Sequence, residues 1–162
     1  QLKREEGNQI VLLNGENVSK EIRTDKIDEN VAKYAAIKIV RDKVTPIQQK
    51  MADNANIIME GRDIGTVVFP NADVKIFLDC SIEERAKRRY KQNIERGINT
   101  SYEEVLSSLI ERHKLETERE VAPFKKAEDA ILIDSSKLNI EEVTEEVIKI
   151  IKETLSQKGK NI

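Results

Sequence analysis

The sequence predicts an α/β fold, a parallel sheet flanked by helices with a small antiparallel β insertion near its start. Three observations carry that reading. Short apolar runs at 57–59 (IIM), 74–78 (VKIFL) and 130–133 (AILI) look like buried parallel strands, and a long charged stretch separates the last two. Ser81 with Glu84, and Ser101 with Glu104, have the three-residue spacing of a capping box that starts a helix. Asn14-Gly15 is the dipeptide that supplies positive φ at both central positions of a two-residue hairpin turn.

Taken in order, residues 1–25 read as an antiparallel meander, with QIVLL at 9–13, a turn at Glu6-Gly7-Asn8 and the hairpin turn at Asn14-Gly15. From Asp28 to Asp53 the pattern turns helical, with Val31, Ala35 and Ile39, and Ala32 and Ala36, at three- and four-residue spacing. A break is expected near Pro46, giving two helices or one kinked one. The strand at 57–59 runs into Glu60-Gly61-Arg62-Asp63, and the next, at 74–78, ends at Asp79. Helices follow from Ser81 to about Gly97 and from Ser101 to about Glu120; the strand at 130–133 ends at Asp134. Asn139 opens a last helix whose Ile140, Val143, Val147, Ile150 and Ile151 form one apolar stripe. In open parallel sheets the ligand crevice lies beyond the carboxyl ends of the strands, so these acidic endings are where a site is expected.

Composition narrows the function classes. A chain of 162 residues supports one core, and 36% charged residues with 4% aromatics and no Trp make that core aliphatic and the surface ionic. The 28 basic and 30 acidic residues cancel to −2, which excludes the basic balance of a general nucleic-acid or anionic-membrane binder. Cys80 and His113 are the sole residues of their types, so no intrachain disulfide and no conventional Cys/His zinc site is expected, and the setting is taken as reducing and cytoplasmic. No apolar run approaches the roughly 18 residues of a membrane span. The chain opens directly in strand-like sequence without Met, and is expected to begin inside a larger protein.

Three constellations can carry chemistry. In EGRDIGTVVFP (60–70), Arg62 and Asp63 lie between Gly61 and Gly65, where a guanidinium can fork onto oxygens and a carboxylate can accept from an amino group. A local salt bridge in a turn is the plainer reading. Arg85, Arg88 and Arg89 crowd one helix face at i, i+3 and i+4, either for an anion or as a solvated face answered by Glu83 and Glu84. Arg112, Glu116 and Arg119 project to one side of the following helix, as a site or as an ion-pair ladder. Basic groups gathered from separate segments of an acidic chain suit a small polyanionic ligand, because phosphoryl transfer relies on converging positive charge. Neither G-x-x-x-x-G-K-[ST] nor G-x-G-x-x-G occurs, the six glycines being scattered at 7, 15, 61, 65, 97 and 159. His113 lacks an evident paired nucleophile and reads as a helix-surface or partly buried histidine.

NGENVSKEIRT (14–24), IVRD (39–42), EGRDIGTVVFPNADVKIFLDCSIEERAKRRY (60–90) and VAPFKKAEDAILIDSS (121–136) closely resemble bacterial cytidylate kinases, over nearly the whole chain. The resemblance implies the P-loop nucleoside monophosphate kinase fold, incomplete at the N-terminus. Residues 1–55 would form the acceptor-nucleotide region with its meander, and 56–162 the α/β core, with lid helices at about 81–120. It implies transfer of the γ-phosphoryl of ATP to CMP or dCMP, with ATP as co-substrate and Mg²⁺ bound through nucleotide phosphates rather than by protein ligands. Arg41 and Asp63 would read the cytosine and Arg62 the acceptor phosphate. Arg112, Glu116 and Arg119 would hold ribose and phosphate, and Arg85, Arg88 and Arg89 would lie on the lid side near ATP. Catalytic roles would then fall to Arg62, Arg88, Arg89, Arg112 and Arg119. The partners implied are small molecules, with neither nucleic acid nor membrane, and the full-length protein would be a monomer.

The chain departs from the family pattern at two places. Ala32 stands where the family usually has a serine that bonds the base, and Arg112-His113-Lys114-Leu115-Glu116 replaces an Arg-Asp-x-x-Asp pattern. Glu116 can do a carboxylate's work with longer reach, whereas Ala32 cannot replace a hydroxyl. The family's phosphate-binding loop, its lysine and the first acceptor-phosphate arginine are expected upstream of residue 1. These 162 residues are therefore expected to be inactive alone. A non-catalytic CMP-binding protein that keeps only the acceptor site is the competing reading, and Asp63 disfavours a uridylate-preferring homologue.

Overall fold

The computed structural model describes residues 2–5, 7–53 and 55–160. The opening meander forms as expected: β1 (Leu2–Glu5), β2 (Asn8–Leu13) and β3 (Glu16–Asn17) make an antiparallel sheet in that order. Asn14 and Gly15 both take positive φ, 52° and 91°, which closes a two-residue turn with Leu13 opposite Glu16. The earlier turn joins Glu5 to the paired Asn8 through Gly7 at φ 82°, while its Glu6 lies outside the described residues. Ser19 Oγ accepts from the Val11 N–H at 2.9 Å and pins the chain leaving the meander.

Two helices follow, α1 (Asp25–Ala35) and α2 (Lys38–Lys50), but the break is not at Pro46. It falls at Ala36–Ile37, where Ile37 turns extended, and Pro46 lies inside α2. An interior proline costs about 3 kcal/mol through its missing N–H and its ring. Here the packing of α2 on the turn at Ile64–Val68, with Gln49 Nε2 donating to the Val68 carbonyl at 3.0 Å, holds the turn beyond the proline.

The parallel sheet consists of β4 (Ile76–Asp79) and β5 (Ile131–Asp134), paired in register from Ile76 with Ile131 to Asp79 with Asp134. The strand expected at 57–59 is not formed. A strand needs a partner for its N–H and C=O groups, and none of the described residues pairs with this run, so Ile58 stands 95% exposed. Nor are β4 and β5 buried on both faces: Leu78 and Leu132 remain 53% and 55% exposed. Between them run α3 (Ile82–Glu95) and α4 (Tyr102–Glu118), packed on one another, and α5 (Ile140–Gln157) follows β5. Ser81 caps α3 by accepting from Glu84 N, and full capping boxes open α4 at Ser101 and α5 at Asn139. Gly97, at φ 74°, ends α3 where the sequence places its stop. The architecture is thus α/β, with a parallel sheet and a small antiparallel one. Among the described residues the buried apolar ones are Ala32, Val68, Ala86, Val105, Ile133 and Ile150.

No helix among the described residues is long and apolar enough to cross a membrane.

Candidate functional site

The Gly-Arg-Asp segment enters an irregular turn, Ile64–Val68, wound with the wider π-type spacing that often marks functional sites. The Asp63 carbonyl accepts from both Val67 N and Val68 N, at 2.9 and 3.2 Å, so the backbone of Asp63 is fixed by the turn that buries Val68. Gly61 admits the close approach of this loop: a Cβ there would come within 2.9 Å of the Ile64 side chain. Asp63 itself is 6% exposed. Burying a carboxylate is costly unless a cation answers it, and Arg41, one turn into α2, does so with Nη2 donating to Asp63 Oδ2. Burial first, and then the charge of Arg119, draws the Arg41 guanidinium below its ordinary value.

A second buried carboxylate, Glu116 at 4% exposure, lies on α4. Its Oε1 accepts from Arg112 Nε at 2.9 Å and its Oε2 from Arg62 Nε at 2.6 Å. Burial, the largest single influence, pushes Glu116 up. The hydrogen bond from Arg112 and the charge and hydrogen bond of Arg62 outweigh it, and the net direction is down. Arg119 caps the C-terminus of α4 in extended conformation and donates from Nε to the Ala122 carbonyl at 2.7 Å. Burial is the main cause that lowers its value; Glu116 opposes that shift and Arg62 adds to it.

These residues meet. One open cleft between α1, α2 and α4 is lined by Ala32, Arg41, Arg62, Asp63, Arg112, Glu116 and Arg119. Every acceptor-side residue singled out in the sequence is among them. Four guanidinium groups face two carboxylates, leaving a local positive surplus inside a chain of net charge −2. Val31 and Ala35 complete an apolar wall with Ala32, whose position offers a methyl and no hydroxyl. Such a site suits a flat ring against the apolar wall, a polar ring edge at the Arg41–Asp63 pair, and a dianion among the remaining arginines.

Arg85, Arg88 and Arg89 lie elsewhere and do not share one environment. Arg88 donates to the carbonyls of Ser135 and Leu138 at 2.7 and 3.3 Å and pairs with Glu84, bracing α3 to the end of β5. Arg89 reaches Asp28 on α1 at 2.5 Å, and Arg85 keeps a buried Nε that no described residue answers. Asp79 and Asp134, at the strand ends, accept from the N–H of Cys80 and Ser136 respectively and line no part of the cleft. The cleft therefore does not lie at the ends of the strands that form: Arg62 and Asp63 reach it from a segment that follows no strand among the described residues. His113 is half-buried, edge-on to Phe124 at 6.1 Å. Phe124, under Arg62, was not singled out in the sequence. The clue available was that a chain without Trp has only three Phe, one of them in the segment VAPF.

Among the described residues no group of three or more His, Cys, Asp or Glu side chains is placed to hold a metal ion. The scattered glycines build no cradle for the phosphates of ATP.

Comparison with known proteins identifies the family. The cytidylate kinase family model matches residues 1–153. The cytidylate kinase of Thermosipho melanesiensis is 54% identical over 141 residues, covering 87% of this chain and 65% of that protein. Those of Bacillus licheniformis and Bacillus subtilis are 48% and 44% identical, each covering 90% of this chain and 65% of the relative. The chain thus spans about 65% of the length of these relatives. A family model matched over almost the whole chain, and identities of this size, establish that the chain belongs to the cytidylate kinase family.

Proposed function

We propose that the cleft is the acceptor site of a cytidylate kinase and takes CMP or dCMP, the protein's reaction being transfer of the γ-phosphoryl of ATP to that nucleotide. The observation that carries the reading is the convergence of Arg41, Arg62, Arg112 and Arg119 on one cleft beside the buried Asp63 and Glu116. Arg41 orients Asp63, whose carboxylate accepts from the exocyclic amino group of cytosine; uracil presents a carbonyl at that place, and two acceptors repel. Arg62 and Arg119 donate to the phosphate, with Arg112 beside them. Glu116 holds Arg62 and Arg112 and serves the ribose.

Residues 1–55 form the acceptor region and 56–162 the core, with the helices at about 81–120, which carry Arg85, Arg88 and Arg89, on the lid side near ATP. Mg²⁺ arrives bound through the nucleotide phosphates. The setting proposed is the cytoplasm. Residues 1–162 do not transfer phosphate by themselves, because they contain neither the Gly-rich loop nor the lysine that cradle the phosphates of ATP in P-loop enzymes.

Titration of Arg119→Ala with CMP tests the site. Loss of a charge-assisted contact costs about 1.5–3 kcal/mol, roughly ten- to 150-fold in affinity. A surface ion pair is worth only about 0–1 kcal/mol, so parent-like binding by the variant removes Arg119 from the site. A coupled ADP-release assay with ATP, Mg²⁺ and CMP tests the second claim. No turnover is expected of residues 1–162, and steady turnover would refute it.

A further inference from the structure

We propose that Phe124 is a positioning residue for Arg62, setting the plane of its guanidinium in the cleft. The inference rests on the reading of the cleft as an acceptor-phosphate site. Arg62 sits on a loop, outside helix or strand, and its side chain is 44% exposed, so nothing in its backbone fixes a long, rotamer-rich side chain. Two contacts do. The bond from Nε to Glu116 Oε2 anchors one edge of the guanidinium but leaves its plane free to turn about that bond. The Phe124 ring lies 5.0 Å from Arg62 Cζ, and a cation over a ring face settles flat against it. Among the described residues only Nε is engaged, so both Nη groups remain to donate to an oxyanion.

The ring is itself held from three sides. It stacks on Phe77 of β4 with centroids 5.3 Å apart and planes at 20°, and His113 of α4 meets its edge. Its own N–H donates to the Glu116 carbonyl at 2.8 Å, tying ring and carboxylate partner to the same turn of α4. The loop that delivers it passes through Ala122 at φ 51°, a left-handed conformation that alanine before proline disfavours. The carbonyl of that residue is the acceptor for Arg119 Nε. One short loop therefore fixes both arginines proposed for the phosphate, Arg119 by a hydrogen bond and Arg62 by a ring.

The test uses Phe124→Leu, which keeps apolar packing and removes the ring, and Phe124→Tyr, which restores it. In the ligand-free chain the Arg62 Hε resonance should lose its ring-current shift in Phe124→Leu and regain it in Phe124→Tyr. By calorimetry Phe124→Leu should weaken CMP about two- to fivefold and leave cytidine, which lacks the phosphate, unchanged. An unmoved Arg62 resonance overturns the proposal, and so does equal weakening of CMP and cytidine, the result expected of a purely structural side chain. A parent chain that binds cytidine as well as CMP would sink the acceptor-site reading instead, and the Arg62 resonance alone then decides whether Phe124 positions it. If Phe124→Leu fails to fold, Phe124→Met takes its place with the same outcomes.

Discussion

The arginine-lined cleft and the β4–β5 sheet invert the usual order of burial, and the contrast separates buried charge from exposed apolar surface. In the cleft, charged Asp63 and Glu116 are among the most buried side chains, while in the sheet Leu78, Ile131 and Leu132 stand open. A buried ion pair is a weak source of stability, because desolvation cancels much of the Coulomb gain. The cleft's pairs are better understood as preorganisation: Asp63 holds Arg41, and Glu116 holds Arg62 and Arg112, in place before any ligand arrives. The sheet lacks that self-sufficiency. Its two strands pair with each other and bury Ile133, yet Leu78, Ile131 and Leu132 meet too few neighbours among the described residues to leave water.

This contrast can be broken by substitution. Asp63→Ala leaves Arg41, whose side chain is 11% exposed, buried without its counter-charge, and should cost about 3–5 kcal/mol in urea denaturation. Leu132→Ser, on the open sheet, should change stability by no more than about 0.5 kcal/mol. If the two substitutions cost the same, the cleft does not depend on its pairs in the way described.

A smaller effect concerns acid. Glu116 is held below its ordinary carboxylate value in the folded chain. The stability it contributes is therefore fully present above the unfolded value, about 4.3, and is lost as pH falls through the lower folded value. Exposed Asp73, Glu104, Asp129 and Asp134 are also lowered, chiefly by hydrogen bonds from Lys160, Ser101, Lys75 and Ser136 respectively, and add to the same acid limb. The difference between the parent and Glu116→Gln isolates the cleft's share. Thermal melts from pH 6 to pH 2.5 should show the parent losing its advantage over the variant as pH falls, and parallel curves would contradict the shift.

How much of this was legible before the structure depended on the range of the forces involved. Local signals read well: Asn14-Gly15 made its hairpin, Ser101 and Asn139 capped their helices, and Gly97 stopped α3. The run at 57–59 has the composition of a strand, but strand formation depends on a partner that composition does not reveal, and Pro46 was overridden by the contact between α2 and the 64–68 turn. For the site, the i, i+4, i+7 spacing of Arg112, Glu116 and Arg119 and the Gly-Arg-Asp motif located the cleft residues, and the family resemblance added Arg41. The i, i+3, i+4 spacing of Arg85, Arg88 and Arg89 gave no such convergence, because Arg88 is drawn to the Ser135 and Leu138 carbonyls just beyond β5 and Arg89 to Asp28 of α1. Phe124 escaped notice since its partners, Arg62, Phe77 and His113, come from three distant segments.

The central claim, that the cleft recognises a cytosine nucleotide through both its base and its phosphate, is tested most directly by calorimetric titration of the chain with CMP, UMP and cytidine. The account predicts that CMP binds tightest. UMP should be weaker by about 1–3 kcal/mol, roughly one to two decades, because a buried carboxylate then faces a carbonyl. Cytidine should be weaker for want of the dianion that the arginines hold. Equal affinity for CMP and UMP would contradict the role of Asp63, and equal affinity for CMP and cytidine would contradict the role of the arginines.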